Sequence, residues 1–234
     1  MTVIEVIDLA RDILNEPLNV SRASGGFPDD TSSFFTDTQL LRYFNQVQRE
    51  LNLTVIQAFE NYLVTEADLN ISNNVDTYGL PANFIKLVRA EDVRNSPATE
   101  IYPISLNEKE QYPGRLIYDL VNQGNPDKYF LKGTSIVFRP VPNFTTNSAV
   151  KLWYAKRLAD MVATTGTAGA TATSEIPQEY HEALAWGIVK LAWISQQTDP
   201  TPAEREFLRL KEDMKKALED RQIQQSRYVK DVKY

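Results

Sequence analysis

Apolar residues recur at helical spacing at both ends of the chain. The first such stretch spans Thr2–Leu14 and stops before Pro17, which cannot continue a helix. A second stretch follows Thr36 and runs to about Tyr62. Thr36 and Gln39 have the spacing of a capping box, so the sequence predicts a sharp helix start at this point.

Helical spacing returns after residue 178. One side of this third helix carries Tyr180, Leu184, Ile188 and Leu191, and another carries Trp186, Val189 and Trp193. A helix that is apolar on more than one side is expected to be buried on more than one side. Asp199-Pro200 ends it, and Thr201 is predicted as the N-cap of a last, highly charged helix with a narrow apolar seam.

Between these helices the apolar period changes to that of β-strands. Apolar and polar residues alternate in Thr65–Ile71, as in a half-buried strand. Ile85–Val93 is a further predicted strand, in which the apolar register slips between Leu87 and Val88, so we expect a bulge there. Gly133 can adopt positive φ, which predicts a hairpin turn between two short strands.

This order of elements predicts an α+β fold. The expected architecture is a helical bundle built from both chain ends with an inserted, mostly antiparallel β domain. The predicted parts are residues 1–62 (N-terminal part of the bundle), 63–160 (inserted β domain), 161–177 (flexible loop), 178–220 (C-terminal part of the bundle) and 221–234 (C-terminal arm).

Composition and charge restrict the classes of function. The 234 residues include 42% hydrophobic and 24% charged residues, which is close to the globular average. The formal net charge of -6 argues against broad attraction to DNA phosphates. Because the chain has no cysteine, disulfides, thiolate metal sites and thiol catalysis are excluded. No apolar run approaches the roughly 20 residues that span a bilayer, so we expect no membrane segment.

Candidate catalytic residues are few. His181 is the only histidine and lies beside Glu179 and Glu182, where we interpret it as a solvated or capping residue rather than a general base. Asp29-Asp30 supplies too few oxygen ligands for a metal and is typical of a loop turn. The glycine-rich stretches do not continue to the Gly-Lys-Ser/Thr of a phosphate loop. We therefore predict no enzyme, no metal and no cofactor.

Two features allow a role in association. Trp186 and Trp193 are seven residues apart on one side of their helix, and either belong to the core of a single chain or form subunit contacts. The arm from Arg221 has four basic residues and one acidic residue, a local charge of +3. It is either a frayed terminus or a docking arm that orders on binding. Its candidate partner-binding residues are Ile223, Arg227, Tyr228, Lys230, Val232, Lys233 and Tyr234.

An ordered set of short motifs covers most of the chain. A Leu-x-x-x-x-Asn element ends at Asn45, Tyr78–Phe84 reads Tyr-x-Leu-Pro-x-x-Phe, Gly124–Phe130 precedes a strand, and Ile176–Leu184 opens the third helix. In this set the chain resembles the head-to-tail adaptor, or connector, proteins of tailed bacteriophages. One departure is the loop Asn19–Phe35, which is longer than the link expected in that family.

The resemblance implies a structural virion protein in the neck between head and tail, assembled in the host cytoplasm. Family members form rings, usually twelvefold, that dock on the portal protein and contact a downstream tail or nozzle protein. Genome DNA would pass through the channel without sequence-specific binding. We further hypothesise that the arm grips the portal, and that the loops Asn19–Phe35 and Ala163–Ser174 meet the next tail component or order on assembly.

A binding module is the main rival hypothesis. The β segment could belong to a virion or surface protein and recognise a carbohydrate or a host receptor. That function would require an exposed aromatic cluster on the β segment, with Tyr112, Tyr118 and Tyr129 as candidates.

Overall fold

The structure, a computed structural model, describes residues 1–16, 34–105, 123–162 and 172–230, with side chains to residue 222. The chain divides into two compact units: unit 1 combines Met1–Tyr62 with Arg157–Tyr234, and unit 2 is Leu63–Lys156. The α-helices of the described residues all lie in unit 1: α1 (Val3–Leu14), α2 (Asp37–Ala58), α3 (His181–Ser195) and α4 (Thr201–Lys230).

Capping boxes start the first two helices. The Thr2 hydroxyl accepts a hydrogen bond from the Glu5 amide, and the Glu5 carboxylate accepts one from the Thr2 amide. Thr36 and Gln39 make the same reciprocal pair before α2, which confirms the predicted helix start. Each box satisfies two backbone donors that have no partner within the helix. α2 ends at Ala58, four residues earlier than predicted.

The two C-terminal helices follow each other closely. A 3-10 turn at Gln178–Tyr180 leads into α3. Before α4, Asp199 Oδ1 accepts hydrogen bonds from the amide of Thr201 at 3.0 Å and from its hydroxyl at 2.6 Å. α4 begins at Thr201, so this residue is the first of the helix, and the prediction that it is the N-cap is wrong.

α3 packs against α1, α2 and α4, and so lies at the centre of unit 1. The end of α1 is tied to the start of α2 by a buried ion pair between Arg11 and Asp37 at 2.6 Å. The core between the helices includes Val6, Ile7, Leu40, Phe44, Leu51, Leu184, Ile188, Phe207 and Met214.

Unit 2 contains nine strands among its described residues. They are β1 (Val64–Ile71), β2 (Thr77–Gly79), β3 (Phe84–Asp92), β4 (Thr99–Pro103), β5 (Gln123–Gly124), β6 (Lys128–Lys132), β7 (Ser135–Arg139), β8 (Val141–Pro142) and β9 (Thr146–Lys156). Seven form one sheet in the order β1-β9-β3-β4-β6-β7-β2, and β5 pairs with β8. β4 and β6 are parallel, as are β5 and β8, and the other pairs are antiparallel.

The sheet curls until its two edges come close together. Its edge strands, β1 and β2, are consecutive in the chain and are joined by Ser72–Asp76 alone. Five residues cannot cross a flat sheet of seven strands, because strands lie about 4.8 Å apart and an extended residue spans about 3.4 Å. The inward side chains therefore share one core, which includes Ile71, Ile101, Ile136, Phe138 and Leu152.

Two local predictions about the strands are confirmed. The β3–β9 register shifts between Leu87 and Arg89, where the sequence predicted a bulge at the slip of the apolar pattern. Gly133 has a φ of 59° and lies in the turn between β6 and β7. Both features follow from local sequence, since a register slip needs an extra residue and a tight turn needs positive φ.

The predicted fold class is wrong. The sequence predicted a helical bundle with an inserted, mostly antiparallel β domain, whereas the described residues form four α-helices and a large mixed sheet that nearly closes on itself. Strands outnumber α-helices nine to four in the part of the chain that the structure describes. The physical reason is the parallel pairing of β4 with β6, a long-range contact that alternating local patterns do not encode.

Candidate assembly surface

One side of α3 leaves large apolar side chains partly uncovered. Trp186 and Trp193 are both partly exposed, and Ile194 is 52% exposed. The Trp186 indole nitrogen donates to Glu182 Oε1 at 3.3 Å, which fixes the ring at the surface. We call Glu182, Trp186, Trp193 and Ile194 the tryptophan face. Neither tryptophan ring is fully buried within the chain. The structure is therefore compatible with the interpretation that the tryptophans form subunit contacts.

The rest of α3 is held tightly, so the tryptophan face has a fixed position within unit 1. Gly187 lies between α2 and α4, where an added Cβ would come within 2.5 Å of a Val47 methyl and 3.2 Å of the Phe207 ring. Only glycine allows this approach without displacement of a neighbour. Lys190 completes the contact with its amine 4.5 Å from the centre of the Phe207 ring.

His181 is fully buried at the start of α3, so the prediction that it is solvated is wrong, whereas its alternative as a capping residue agrees with its place at the end of the 3-10 turn. Its Nε2 donates to the carbonyl of Ile176 at 2.9 Å, which joins α3 to the segment before it. Proximity to Glu179 and Glu182 in sequence suggested a charged surface position. The helix instead turns the imidazole toward the interior, while Glu182 is exposed.

The C-terminal arm begins as a continuation of α4. The backbone of Ile223, Arg227, Tyr228 and Lys230 is helical, because α4 extends to Lys230. The remaining predicted partner-binding residues, Val232, Lys233 and Tyr234, lie outside the described residues, as do Asp29 and Asp30. Portal docking by this arm stays a prediction.

A row of polar side chains on α2 binds backbone, and sequence reasoning gave it no role. Asn45 donates to the Met161 carbonyl at 2.9 Å and accepts from the Met161 amide at 2.8 Å. Gln48 donates to the Ala159 carbonyl at 3.0 Å and accepts from the Ser174 hydroxyl at 2.8 Å. The available signal was the position of Asn45 and Gln48, three residues apart within an otherwise apolar side of the helix.

The Tyr-x-Leu-Pro-x-x-Phe motif stabilises the near-closure of the sheet. The Tyr78 hydroxyl lies within hydrogen-bond distance of the Ser72 amide, at 3.0 Å, and the Val75 carbonyl, at 2.8 Å, and so holds the link between the sheet edges. Burial raises the pKa of this hydroxyl above its ordinary value. At the end of the motif, Phe84 packs on Tyr154 with ring centres 5.7 Å apart.

An arginine joins β3 to the residues that follow β5. Arg94 binds both carboxylate oxygens of Asp92, at 3.0 and 2.6 Å, and donates to Asn125 at 2.9 Å. Its guanidinium lies 3.4 Å from the centre of the Phe144 ring. Burial acts to raise the pKa of Asp92, but the hydrogen bonds from Arg94 outweigh burial and hold that pKa below its ordinary value.

The outer face of the sheet carries a third tryptophan within a network of charges. Trp153 donates to Glu91 at 3.3 Å and lies in register between Glu66 and Arg89. Lys151 pairs with Glu66 at 3.1 Å. Because these charges neutralise one another at the surface, we interpret this region as a solvated face, as the alternation of β1 indicated.

The described residues do not support the aromatic cluster that a binding module requires. Tyr129 is only 7% exposed and belongs to the core of the sheet. Tyr112 and Tyr118 lie outside the described residues. Within the described ranges, no group of three or more His, Cys, Asp or Glu side chains could hold a metal ion. No helix among the same residues is both long and apolar enough to cross a membrane.

Comparison with known proteins agrees with the motifs of the sequence. The model of a protein family described as SU10 adaptor protein matches residues 1–231. No curated protein matches the chain significantly. The family is one of structural phage adaptors rather than enzymes, so the chain is a component of a virion. The resemblance to phage adaptors is confirmed, and the chain belongs to the SU10 adaptor protein family.

Proposed function

We propose that identical copies of this chain form a closed ring, twelvefold as in related adaptors, that docks on the portal and joins the capsid to the tail. The ring occupies the neck of the particle, is assembled in the host cytoplasm, and forms part of the channel for genome DNA. Membership of the adaptor family supports this proposal. A ring closes only if each subunit contacts the next through two different surfaces related by an integer fraction of a turn.

The tryptophan face is the observation that carries the proposal. α3 is apolar around most of its circumference, and three helices of its own chain cover it on the other sides. Partly exposed Trp186 and Trp193 remain on the open side. Tryptophan buries a large area at low entropic cost, and is enriched among residues that dominate binding energy. A neighbouring copy that covers this face would complete the burial of α3.

The C-terminal arm is the proposed contact with the portal. Its local charge of +3 and its apolar residues between cations suit an acidic, partly apolar groove. The loops Asn19–Phe35 and Ala163–Ser174 are proposed to contact the downstream tail or nozzle protein. The net charge of -6 would keep the affinity for DNA low, so that the genome could slide through the channel.

Native mass spectrometry of the purified chain mixed with its portal tests the proposal. The expected product is a complex of one portal with a stoichiometric ring of this chain. Deletion of Gln222–Tyr234 should abolish the complex while the rest of the chain stays folded, as shown by a cooperative urea unfolding transition close to that of the full chain. A full-length chain that forms no complex with the portal would contradict the ring, and a deletion variant that binds normally would contradict the arm. Binding to a glycan array instead would favour the rival module.

A further inference from the structure

The segment Ala159–Val162, which we call the strap, follows β9 and lies along α2. Polar contacts hold it there. Asn45 makes two hydrogen bonds to the Met161 backbone, and Gln48 donates to the Ala159 carbonyl. Arg49 adds a two-point ion pair with Asp160, at 3.0 and 2.6 Å, in which both side chains are about half exposed.

The strap contributes no buried apolar side chain of its own. Val162 is 69% exposed, Ala159 and Asp160 are exposed, and Met161 is partly exposed. The residue before the strap, Leu158, is buried. Segments with few buried apolar contacts open at a lower free energy than the core. The strap is therefore much more weakly held than the chain that precedes it.

Gln48 couples the strap to a second segment. The same amide group that donates to the Ala159 carbonyl accepts a hydrogen bond from the Ser174 hydroxyl. Gln48 is fully buried while the strap is in place, and opening of the strap breaks its hydrogen bond to the Ala159 carbonyl. That cost gives the strap a defined closed state rather than a broad range of positions.

We propose that the strap is a releasable element, which detaches from α2 as a unit while the helices and the sheet stay folded. Opening breaks the hydrogen bonds of Asn45, Gln48 and Arg49 together. It frees the four residues of the strap and at the same time uncovers the side-chain amides of Asn45 and Gln48 on α2. The strap thus gives this adaptor a point of rearrangement that requires no unfolding of either unit.

Hydrogen exchange of the Met161 amide measures the opening directly, because this amide donates to Asn45. In the full chain, its exchange should be independent of low concentrations of urea, since local opening exposes little surface. The amide of Ile188, fully buried in α3 of the same unit, should exchange more slowly and accelerate with urea. A Met161 rate that rises with urea in parallel with that of Ile188 would show that Met161 exchanges only when the whole unit unfolds, and would overturn the proposal.

Substitutions test which contacts hold the strap closed. Gln48→Ala should raise the Met161 exchange rate about tenfold; because Gln48 binds the Ala159 carbonyl and not the Met161 amide, this increase requires the strap to open as a unit. Gln46→Ala, an exposed neighbour on the same helix, should leave the rate unchanged. Asp160→Ala should raise it about threefold, as expected for an exposed ion pair. If Gln48→Ala fails to fold, Asp160→Ala decides alone: faster exchange at Met161 supports the strap and an unchanged rate refutes it.

Discussion

At the scale of single residues, the helices depend on how closely α3 can approach its neighbours. Gly187 is the point of closest approach to Val47 and Phe207. Well-packed interiors do not absorb an extra methyl without shifts of backbone or rotamers. The place of the tryptophan face within unit 1 therefore depends on a residue that has no side chain.

Gly187→Ala should destabilise the protein by about 1–3 kcal/mol, because the new methyl overlaps the Val47 side chain. Urea unfolding followed by circular dichroism measures this change. Gly79→Ala is the matched control, since nothing lies within 4 Å of an added Cβ there, and its effect should stay within about 0.5 kcal/mol. Equal effects of the two substitutions would contradict the close packing of α3.

Asp92 makes stability depend on acid pH. Its pKa is lower in the folded chain than the unfolded value of about 3.9, so its bond to Arg94 stabilises the fold fully above that value. The contribution is lost as the pH falls through the folded pKa. Asp92→Asn should lower the free energy of unfolding by about 1–3 kcal/mol at pH 7. The difference in this free energy between the variant and the natural chain should become smaller toward pH 3. Urea titrations measure this difference, and an equal difference at pH 7 and pH 3 would contradict the stabilising role of the ionised Asp92.

At the scale of elements, α3 combines a closely packed interior side with an open side. We expect Trp186→Ala combined with Trp193→Ala to leave the chain folded but to abolish ring formation, since two large interface anchors are lost. Native mass spectrometry with the portal measures ring formation. Trp153→Ala, at a partly exposed tryptophan on the sheet, should assemble normally. Assembly of the double variant at the natural level would remove the tryptophan face from the interface.

Local patterns predicted local features of the elements. The capping pair at Thr36 and Gln39, the bulge beside Leu87 and the turn at Gly133 each follow from a few neighbouring residues. Each reflects a backbone requirement that the sequence meets within a few positions. The same patterns placed Trp186 and Trp193 together on one side of α3.

Long-range contacts could not be predicted in this way. The parallel pair of β4 and β6 depends on where the chain returns after a long excursion, so the predicted fold class is wrong. Burial of His181 depends on which helices surround α3, and neighbouring carboxylates in sequence gave the opposite indication. The reciprocal bonds of Asn45 join residues more than 100 positions apart. The spacing of residues showed that Asn45 is part of a motif, but it did not show that Asn45 binds the backbone of Met161.

At the scale of the whole molecule, the chain has the properties of an assembly component. It belongs to an adaptor family, it carries a tryptophan face on its central helix, and its formal net charge is -6. These properties are compatible with one another in a ring around DNA. Apolar contacts between copies would supply the binding energy, while excess negative charge would weaken adhesion of the genome.

Electron microscopy of phage particles produced without this protein tests the central claim most directly. If the chain joins capsid to tail, cells infected with phage that lack this protein should accumulate DNA-filled or emptied heads together with separate tails. Expression of the chain in trans should restore complete particles. Complete, tailed particles in its absence would contradict the adaptor function.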